Sequence, residues 1–442
     1  MLLKRIQLGM IHAALAMTLV PINSTLNRIM IKELALSATL VAILASLPYV
    51  FSPIQVMIGS FSDRHPILGY RRTPYIAIGL ILCVTGVILS PQAAYLMSAN
   101  FWAGLASGVL IFGAWGMGYN FAAVSYLSLA SELSGDKGHS RTIAVMFILM
   151  IIGIILTAVG LGRMLETYTP EILERAFFFV ALTAFLLGLF GLFRLEPRQK
   201  KSDEGGLGLE GEEAEERIGF WNQLRFMLNR QVFIFFIYLV LLLTAILGQD
   251  ILLEPFAAEA FEMSVQQTTR ITAIWGICFL ISLVVAELIE RRISKRTGAR
   301  IGAWVAIVAF LLIASGGIGI NRTVFYLGVV LLGLATGLAT VTNLSLMLDM
   351  TIVGKVGMFI GAWGVANAMS RFIGSVFSAV VRDVVTFVTQ APVSGYLVVF
   401  LLEAAMLGLS LLLLQRIDVK LFRESVSRDK SVIERAAMAN DG

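Results

Sequence analysis

Apolar runs of about 20 residues recur about a dozen times along this 442-residue chain, each bounded by charged or turn residues. Runs of this length cross a hydrocarbon core of roughly 30 Å as helices, whereas barrel strands would alternate over roughly 10 residues. With 58% hydrophobic residues, 14% charged residues and a mean hydropathy of +0.85, the chain has too little polar surface for a soluble globule. The pattern predicts an all-α integral membrane protein with twelve transmembrane helices.

The limits of the predicted helices are approximate. Pro48 and Pro53 lie inside the second helix, where the sequence predicts kinks rather than breaks. The predicted spans are residues 6–27, 38–59, 74–97, 101–127, 142–163, 174–194, 232–254, 270–289, 301–320, 324–348, 356–381 and 394–415.

A polar segment separates the first six helices from the last six. It contains the glycine-rich and acidic stretch 205–216, which is typical of a solvated linker. The sequence therefore predicts an N-terminal six-helix bundle over 1–195, a cytoplasmic linker over 196–231, a C-terminal six-helix bundle over 232–416 and a cytoplasmic tail over 417–442.

The two halves resemble each other at an offset of 349 − 132 = 217 residues. The segment LSLASE ends the fourth helix at Glu132, and LSLMLD ends the tenth helix at Asp349. The match extends along the preceding turns, where Gly116, Ala122, Val124 and Ser125 correspond to Gly333, Ala339, Val341 and Thr342. Two parallel six-helix repeats are the architecture of the major facilitator fold, which places a site between the halves near the membrane midplane.

Basic residues are shared unevenly between the two sets of loops. If the N-terminus is cytoplasmic, the richer set is cytoplasmic too, so the positive-inside rule places both termini in the cytoplasm. The richer set holds Arg64, Arg71, Arg72, Lys137, Arg141, Arg291, Arg292, Lys295, Arg296, Arg300 and Lys355, and the poorer set holds Arg28, Lys32, Arg163, Arg175, Arg270, Arg322 and Arg382. The net charge of +5 thus bears on topology, and no basic-aromatic patch indicates nucleic acid.

The loop over residues 59–74 resembles the signature loop of the major facilitator superfamily, in which an Asp at a helix end and the Arg residues after it latch one conformation. Gly69 stands six residues after Asp63 rather than the usual three, so the loop geometry departs from that pattern. The alternative is a loop that merely follows the positive-inside rule. The predicted cytoplasmic gate comprises Asp63, Arg64, Arg71, Arg72, Glu132 and Asp349.

Carboxylates mark the end of the seventh helix. Ionisable groups near hydrocarbon depth are costly, so they indicate a pathway, a gate or a ligand site, and Asp250 and Glu254 are expected to share a helix face at i, i+4. Arg28 closes the first helix on the same side, and we expect it to pair with Asp250 or Glu254 across the outer mouth. The alternative is a structural ion pair without a ligand. The predicted outer gate or ligand site comprises Asn27, Arg28, Gln249, Asp250, Glu254, Glu259 and Arg270.

Several motifs resemble the bacteriochlorophyll delivery family of the major facilitator superfamily, whose members include PucC-like and LhaA-like light-harvesting assembly proteins. These motifs are residues 24–34, 62–63 with 69–75, 249–256, 268–275, 346–350 and 357–364. The resemblance implies an assembly factor in the cytoplasmic or photosynthetic membrane of a phototrophic bacterium. Its cargo would be chlorophyll or bacteriochlorophyll, and its partners would be light-harvesting antenna polypeptides or a reaction-centre core.

A chlorin holds Mg²⁺, which accepts one axial ligand. His12, Asn120 and Asn343 are candidates at membrane depth, although a lone His in a membrane helix is as often a hydrogen-bonded packing residue. Arg371 and Glu403 also lie inside helices, and we expect them to pair with each other or with backbone carbonyls. If the chain is a transporter, Glu403 could instead carry a proton.

Two functions of other classes stay open beside pigment delivery. One is ion-coupled transport of an amphipathic organic solute, in which the same carboxylates carry protons. The other is a pigment-free scaffold for antenna polypeptides. The sequence contains no phosphate loop, dinucleotide fingerprint, nucleophile elbow or His/Cys set with metal spacing, so neither an enzyme nor a protein metal site is expected.

Overall fold

The computed structural model describes residues 2–134, 139–198, 230–290, 292–349 and 356–417, and these residues are helical nearly throughout. They form twelve helices: α1 Leu2–Glu33, α2 in four pieces (Ala38–Ala45, Leu47–Val50, Ser52–Ile54 and Gln55–Arg64), α3 Thr73–Ala99, α4 Phe101–Ser134, α5 His139–Met164, α6 Pro170–Leu192, α7 Arg230–Gly248, α8 Val265–Glu290, α9 Lys295–Ile318, α10 Arg322–Asp349, α11 Val356–Thr389 and α12 Pro392–Gln415. A tight turn, Gln249–Ile251, and a short helix, Leu253–Phe261, follow α7.

Eleven of the described helices are long and apolar enough to cross a membrane. The exception is α2, which is interrupted. Pro48 and Pro53 were expected to kink it, but the helix breaks near both, because a proline has no N–H to donate along the helix. The amide nitrogen of Asn120 on α4 donates to the Pro48 carbonyl at 2.9 Å, which satisfies an acceptor at the break. The twelve-helix prediction is confirmed.

The two halves repeat one packing pattern. In the first half α1 packs against α5 and α6, α3 packs against α4 and α6, and α2 packs against α4. Six helices later, α7 packs against α11 and α12, α9 against α10 and α12, and α8 against α10. Across the interface α5 packs against α8, and α2 packs against α11. These pairings confirm the two six-helix repeats of the major facilitator fold.

The glycines aligned by the sequence repeat lie at equivalent crossings. A Cβ atom at Gly116 on α4 would lie 2.9 Å from the Pro48 nitrogen on α2. A Cβ atom at Gly333 on α10 would lie 2.7 Å from the Trp275 carbonyl oxygen on α8. Real Cβ atoms do not approach backbone this closely, so both positions need glycine for the same reason.

We call the end of the bundle that contains Leu2 and Arg416 the terminal end. The opposite end, where α1 ends and α2 begins, is the distal end. Within α1 the turns widen to π-helical geometry at Pro21–Leu26 and Ile29–Glu33. Such wide turns re-aim side chains and occur often at functional sites. Apart from its first three and last two residues, the predicted linker 196–231 lies outside the described residues, as does the tail after Ile417.

Candidate functional site

Hydrogen bonds join the two halves at the distal end. The buried carboxylate of Glu254, in the short helix after α7, accepts hydrogen bonds at Oε1 from Ser24 on α1 and from Thr272 on α8, the latter at 2.6 Å. One turn away, the hydroxyls of Thr25 and Thr269 lie 3.2 Å apart. Glu254 therefore holds a position where three segments from both halves meet.

Arg28 binds elsewhere than predicted. Its Nη1 forms an ion pair with Glu33 at 2.7 Å, and its Nη2 donates to the Met263 carbonyl at 3.2 Å. Among the described residues it forms no ion pair with Asp250 or Glu254, so the expected direct pairing is wrong. The wide turns of α1 explain the difference, since they bring Glu33 on the same helix within reach of the guanidinium. Arg28 still bridges the halves through the Met263 carbonyl.

Asp383 near the end of α11 forms a second connection between the halves. Its carboxylate accepts hydrogen bonds from the Ser37 hydroxyl at 2.8 Å, the Ala38 N–H at 3.2 Å, the Thr39 N–H at 2.8 Å and the Thr39 hydroxyl at 2.7 Å. These groups form the first turn of α2. A carboxylate from one half thus caps a helix of the other half, where the unsatisfied N–H groups favour negative charge.

The end of α7 does not continue as one helix. Pro255 lacks an N–H, and its ring would clash with the carbonyl of Ile251 in a continuous helix, so the chain makes a tight turn over Gln249–Ile251 first. The turn separates Asp250 from Glu254, which therefore do not share one helix face as expected. Glu254 points to α1 and α8, whereas Asp250 points to α11.

Asp250 pairs with Arg371, and this pair forms a polar centre between the halves. The distance from Arg371 Nη1 to Asp250 Oδ2 is 2.9 Å, and the side chains are 35% and 28% exposed. The guanidinium carbon lies 5.7 Å from the centroid of the Tyr49 ring, which belongs to the first half. Because Arg371 stands near the middle of α11, a partly exposed ion pair here indicates a polar opening at mid-depth in the bundle.

Arg371 and Glu403 do not pair with each other. The carboxylate of Glu403 on α12 is buried and accepts a hydrogen bond from the Ser378 hydroxyl on α11 at 3.0 Å. Its other oxygen has no hydrogen-bond partner among the described residues. Glu403 faces the close crossing of α7 and α11, where a Cβ atom at Gly248 would lie 3.0 Å from its Oε1.

The remaining residues of the predicted outer site divide into three groups. Asn27 and Gln249 are buried, and each has a side-chain oxygen without a partner among the described residues. Glu259 accepts hydrogen bonds from Arg382 at 3.0 Å and from the Tyr396 hydroxyl at 3.2 Å, both within the second half. Arg270 is exposed on α8. The structure therefore brings most of the set to the distal end but distributes it over separate contacts.

The three candidate axial ligands have different surroundings. The Asn120 oxygen accepts from Gln55 at 2.5 Å, and the Asn343 oxygen accepts from the Tyr238 hydroxyl at 2.6 Å. His12 is 8% exposed, and its Nδ1 is buried without a partner in the described part of the chain. The two asparagines thus have structural bonding partners, whereas the His12 ring does not use this nitrogen.

At the terminal end, Arg72 is the centre of the predicted gate. Its guanidinium binds Glu132 at 3.1 Å and the Ser62 hydroxyl at 2.7 Å. Arg64 and Arg71 also form contacts, and the side chains of Asp63 and Asp349 lie outside the described set. The carboxylate of Glu196, just after α6, accepts the backbone N–H groups of Arg71, Arg72 and Thr73 at 2.7–3.2 Å, which holds the loop before α3.

Sequence reasoning missed Asp383, Glu196 and the hydroxyl partners of Glu254. Asp383 follows Arg382 just beyond the predicted end of the eleventh helix, and this adjacent pair of opposite charges was the available signal. The partners of Asp383 lie more than 340 residues away in the sequence. No local pattern could indicate that distance.

Comparison with known proteins places the chain in a family. Residues 25–422 match the PUCC protein family. Protein PucC of Cereibacter sphaeroides is 28% identical over 425 residues, which cover 93% of this chain and 91% of that protein. The bacteriochlorophyll synthase 44.5 kDa chain of Rhodobacter capsulatus is 25% identical over 389 residues, which cover 85% of this chain and 86% of that protein.

The crystal structure of nucleoside transporter NupG superposes with a TM-score of 0.72 at 15% identity, and the match covers 94% of this chain and 98% of NupG. This likeness shows the fold. The family match spans most of the sequence, so the chain belongs to the PUCC protein family and is a multi-pass membrane protein with the major facilitator fold.

Proposed function

We propose that this chain is a membrane assembly factor that binds or delivers chlorophyll or bacteriochlorophyll while light-harvesting complexes are built. Membership of the PUCC family supports this role, and one relative carries bacteriochlorophyll synthase in its name. Antenna polypeptides or a reaction-centre core would dock on the lipid-facing side. The protein would work in the cytoplasmic or photosynthetic membrane of a phototrophic bacterium, with both termini in the cytoplasm.

The surroundings of His12 carry the pigment part of the proposal. His12 lies on α1, with its ring centroid 5.2 Å from that of Tyr126 on α4 and 5.4 Å from that of Phe147 on α5. A neutral imidazole is a common metal ligand, and a buried ring nitrogen without a hydrogen-bond partner is costly unless something else binds the ring. Aromatic neighbours suit a flat, apolar macrocycle. Among the three axial candidates, the imidazole of His12 fits this task best.

Pigment retention tests the proposal. The protein would be purified in mild detergent from a bacteriochlorophyll-making host, and the absorption spectrum would be recorded with the stoichiometry of extracted pigment. We expect near-stoichiometric pigment in the wild type and a loss of at least half of it in His12→Leu. The matched control is His65→Leu, because His65 is an exposed histidine outside the membrane helices and should retain pigment. A folded but colourless wild type would refute the pigment-binding role.

The polar centre at Arg371 and Asp250 favours a second candidate function, ion-coupled transport of an amphipathic organic solute. A partly exposed guanidinium at mid-depth is suited to hold an anionic group of a solute. Proton-dependent solute uptake into liposomes containing the purified protein, lost in Arg371→Gln, would support transport. Co-purification of antenna polypeptides without pigment would instead support a scaffold.

A further inference from the structure

Glu254 is a buried acid that forms no ion pair with a described residue. Its residue is 3% exposed, its Oε1 accepts only from neutral hydroxyls, and its Oε2 has no partner among the described residues. A buried carboxylate without a counter-charge costs several kcal/mol, and a protonated carboxyl avoids most of this cost. The enclosed geometry thus favours the neutral, proton-bound form of Glu254.

The charged groups around Glu254 are engaged elsewhere or exposed. Arg28, the cation on the adjoining part of α1, binds Glu33 and a backbone carbonyl. Asp250 in the preceding turn binds Arg371. The other titratable groups on Leu253–Phe261 and on the segments that pack against it are Lys32, Glu259, Arg270, Cys278, Glu287, Glu290, Tyr396 and Glu403, and Glu262 follows Phe261 directly. None of the described cations forms an ion pair with Glu254. Arg28 attracts the carboxylate only from a longer distance, and burial of the carboxyl group outweighs this attraction and favours the neutral acid.

We propose that Glu254 is a proton-binding site and that binding of one proton closes the distal end. Ser24 belongs to the first half, and Thr272 belongs to the second half. Separation of the halves breaks the Ser24 bond and admits water to the carboxyl group, which then releases its proton to the distal solution. Closure reverses the step, because one proton from that solution converts the carboxylate to a neutral acid before enclosure. This device goes beyond the proposed function because it needs no pigment.

The direction of the pH dependence follows from linkage. The closed form binds the proton more tightly than the open form, so low pH favours closure. As pH rises above the range where the open form is protonated, the ratio of open to closed molecules rises by up to about tenfold per pH unit for one proton. The rise ends once the closed form also loses its proton.

Glu403 provides a matched control within the same chain. It is likewise buried, accepts one hydroxyl hydrogen bond and has one oxygen without a described partner. Its hydroxyl partner, Ser378, belongs to the same half. Neutralising Glu403 should therefore leave the equilibrium between the halves unchanged.

The test measures the distal separation in the full-length protein in detergent between pH 5 and 9. Spin labels would be attached at Thr167→Cys, in the loop between α5 and α6, and at Thr323→Cys, in the first turn of α10, after replacement of Cys83 and Cys278 by Ala. Both positions are exposed and lie at the distal end of opposite halves. Double electron–electron resonance then gives the fraction of molecules at the longer distance. This readout avoids the intrinsic pH dependence of thiol labelling.

We expect the long-distance fraction to rise with pH in the wild type and in Glu403→Gln, and to stay low at every pH in Glu254→Gln. Ser24→Ala keeps the carboxyl group of Glu254 but removes its hydrogen bond to the first half, so the rise in the long-distance fraction should occur at lower pH in this variant. A pH-independent wild type, or a Glu254→Gln protein that still responds to pH, would overturn the proposal. So would a dependence on Na⁺ against choline at constant pH, because a cation would then occupy the site. Pigment retention is measured in a separate experiment, so a protein without pigment would refute the pigment-binding role but would not change the pH dependence of the distal distance.

Discussion

Removing the charge of Asp383 should open the distal end. Its carboxylate accepts four hydrogen bonds from the first turn of α2, and its side chain is 22% exposed. Asp383→Asn keeps one acceptor oxygen, turns the other into an NH₂ group that faces an N–H donor, and loses the charge that favours a helix N-terminus. Hydrogen bonds to a charged group contribute about 1.5–3 kcal/mol each and neutral ones about 0.5–1.5 kcal/mol.

The net contribution of these hydrogen bonds is smaller than their sum, because water hydrates the Asp383 carboxylate when the halves separate. We therefore take the net destabilisation of the closed distal end as about 2–3 kcal/mol. Since 1.4 kcal/mol corresponds to a tenfold change, the population of open molecules should rise about 30- to 140-fold.

Thiol alkylation measures this population. Thr25 is fully buried between the halves, so a Thr25→Cys thiol reacts only when the distal end opens, and its rate follows the open fraction. Asp383→Asn should accelerate labelling by the factor given above. The control is Glu166→Gln, a carboxylate-to-amide change at an exposed position of the distal end, which should label at the parent rate. An unchanged rate in a folded Asp383→Asn protein would refute the assignment of this contact as a distal latch.

Two further predictions concern packing and the terminal end. In Gly374→Ala the new Cβ atom would lie 2.7 Å from the Thr244 carbonyl oxygen, so we expect a destabilisation of about 1–3 kcal/mol and a lower melting temperature. In the control, Gly113→Ala, the new Cβ atom meets no atom within 4 Å, so this variant should melt like the wild type. Glu196→Gln weakens the acceptor for three consecutive backbone N–H groups, so we expect the loop before α3 to lose about 1–2 kcal/mol of stability and to be proteolysed faster. The control is Glu166→Gln at an exposed position, which should leave the rate of proteolysis unchanged.

The sequence alone determined the architecture because hydrophobic length and repeat spacing are local properties. Apolar runs predicted the twelve helices, and the offset that relates Gly116 to Gly333 predicted the two equivalent halves. The basic loop before α3 indicated Arg72, which binds Glu132 as part of a charge network. The same reasoning identified Asp250 and Glu254 as functional candidates, because ionisable groups near hydrocarbon depth are costly and therefore indicate a pathway, a gate or a ligand site.

Only the tertiary structure decided which groups these charges bind. Arg371 rather than Arg28 pairs with Asp250, because a proline forces a turn that points Asp250 toward α11. Glu254 accepts hydrogen bonds from hydroxyl groups instead of pairing with a cation, and Asp383 caps a helix that lies more than 340 residues earlier in the chain. The partner of each charge depends on directions and distances that the packing of both halves sets. A turn such as Gln249–Ile251 changes the direction of the side chains that follow it.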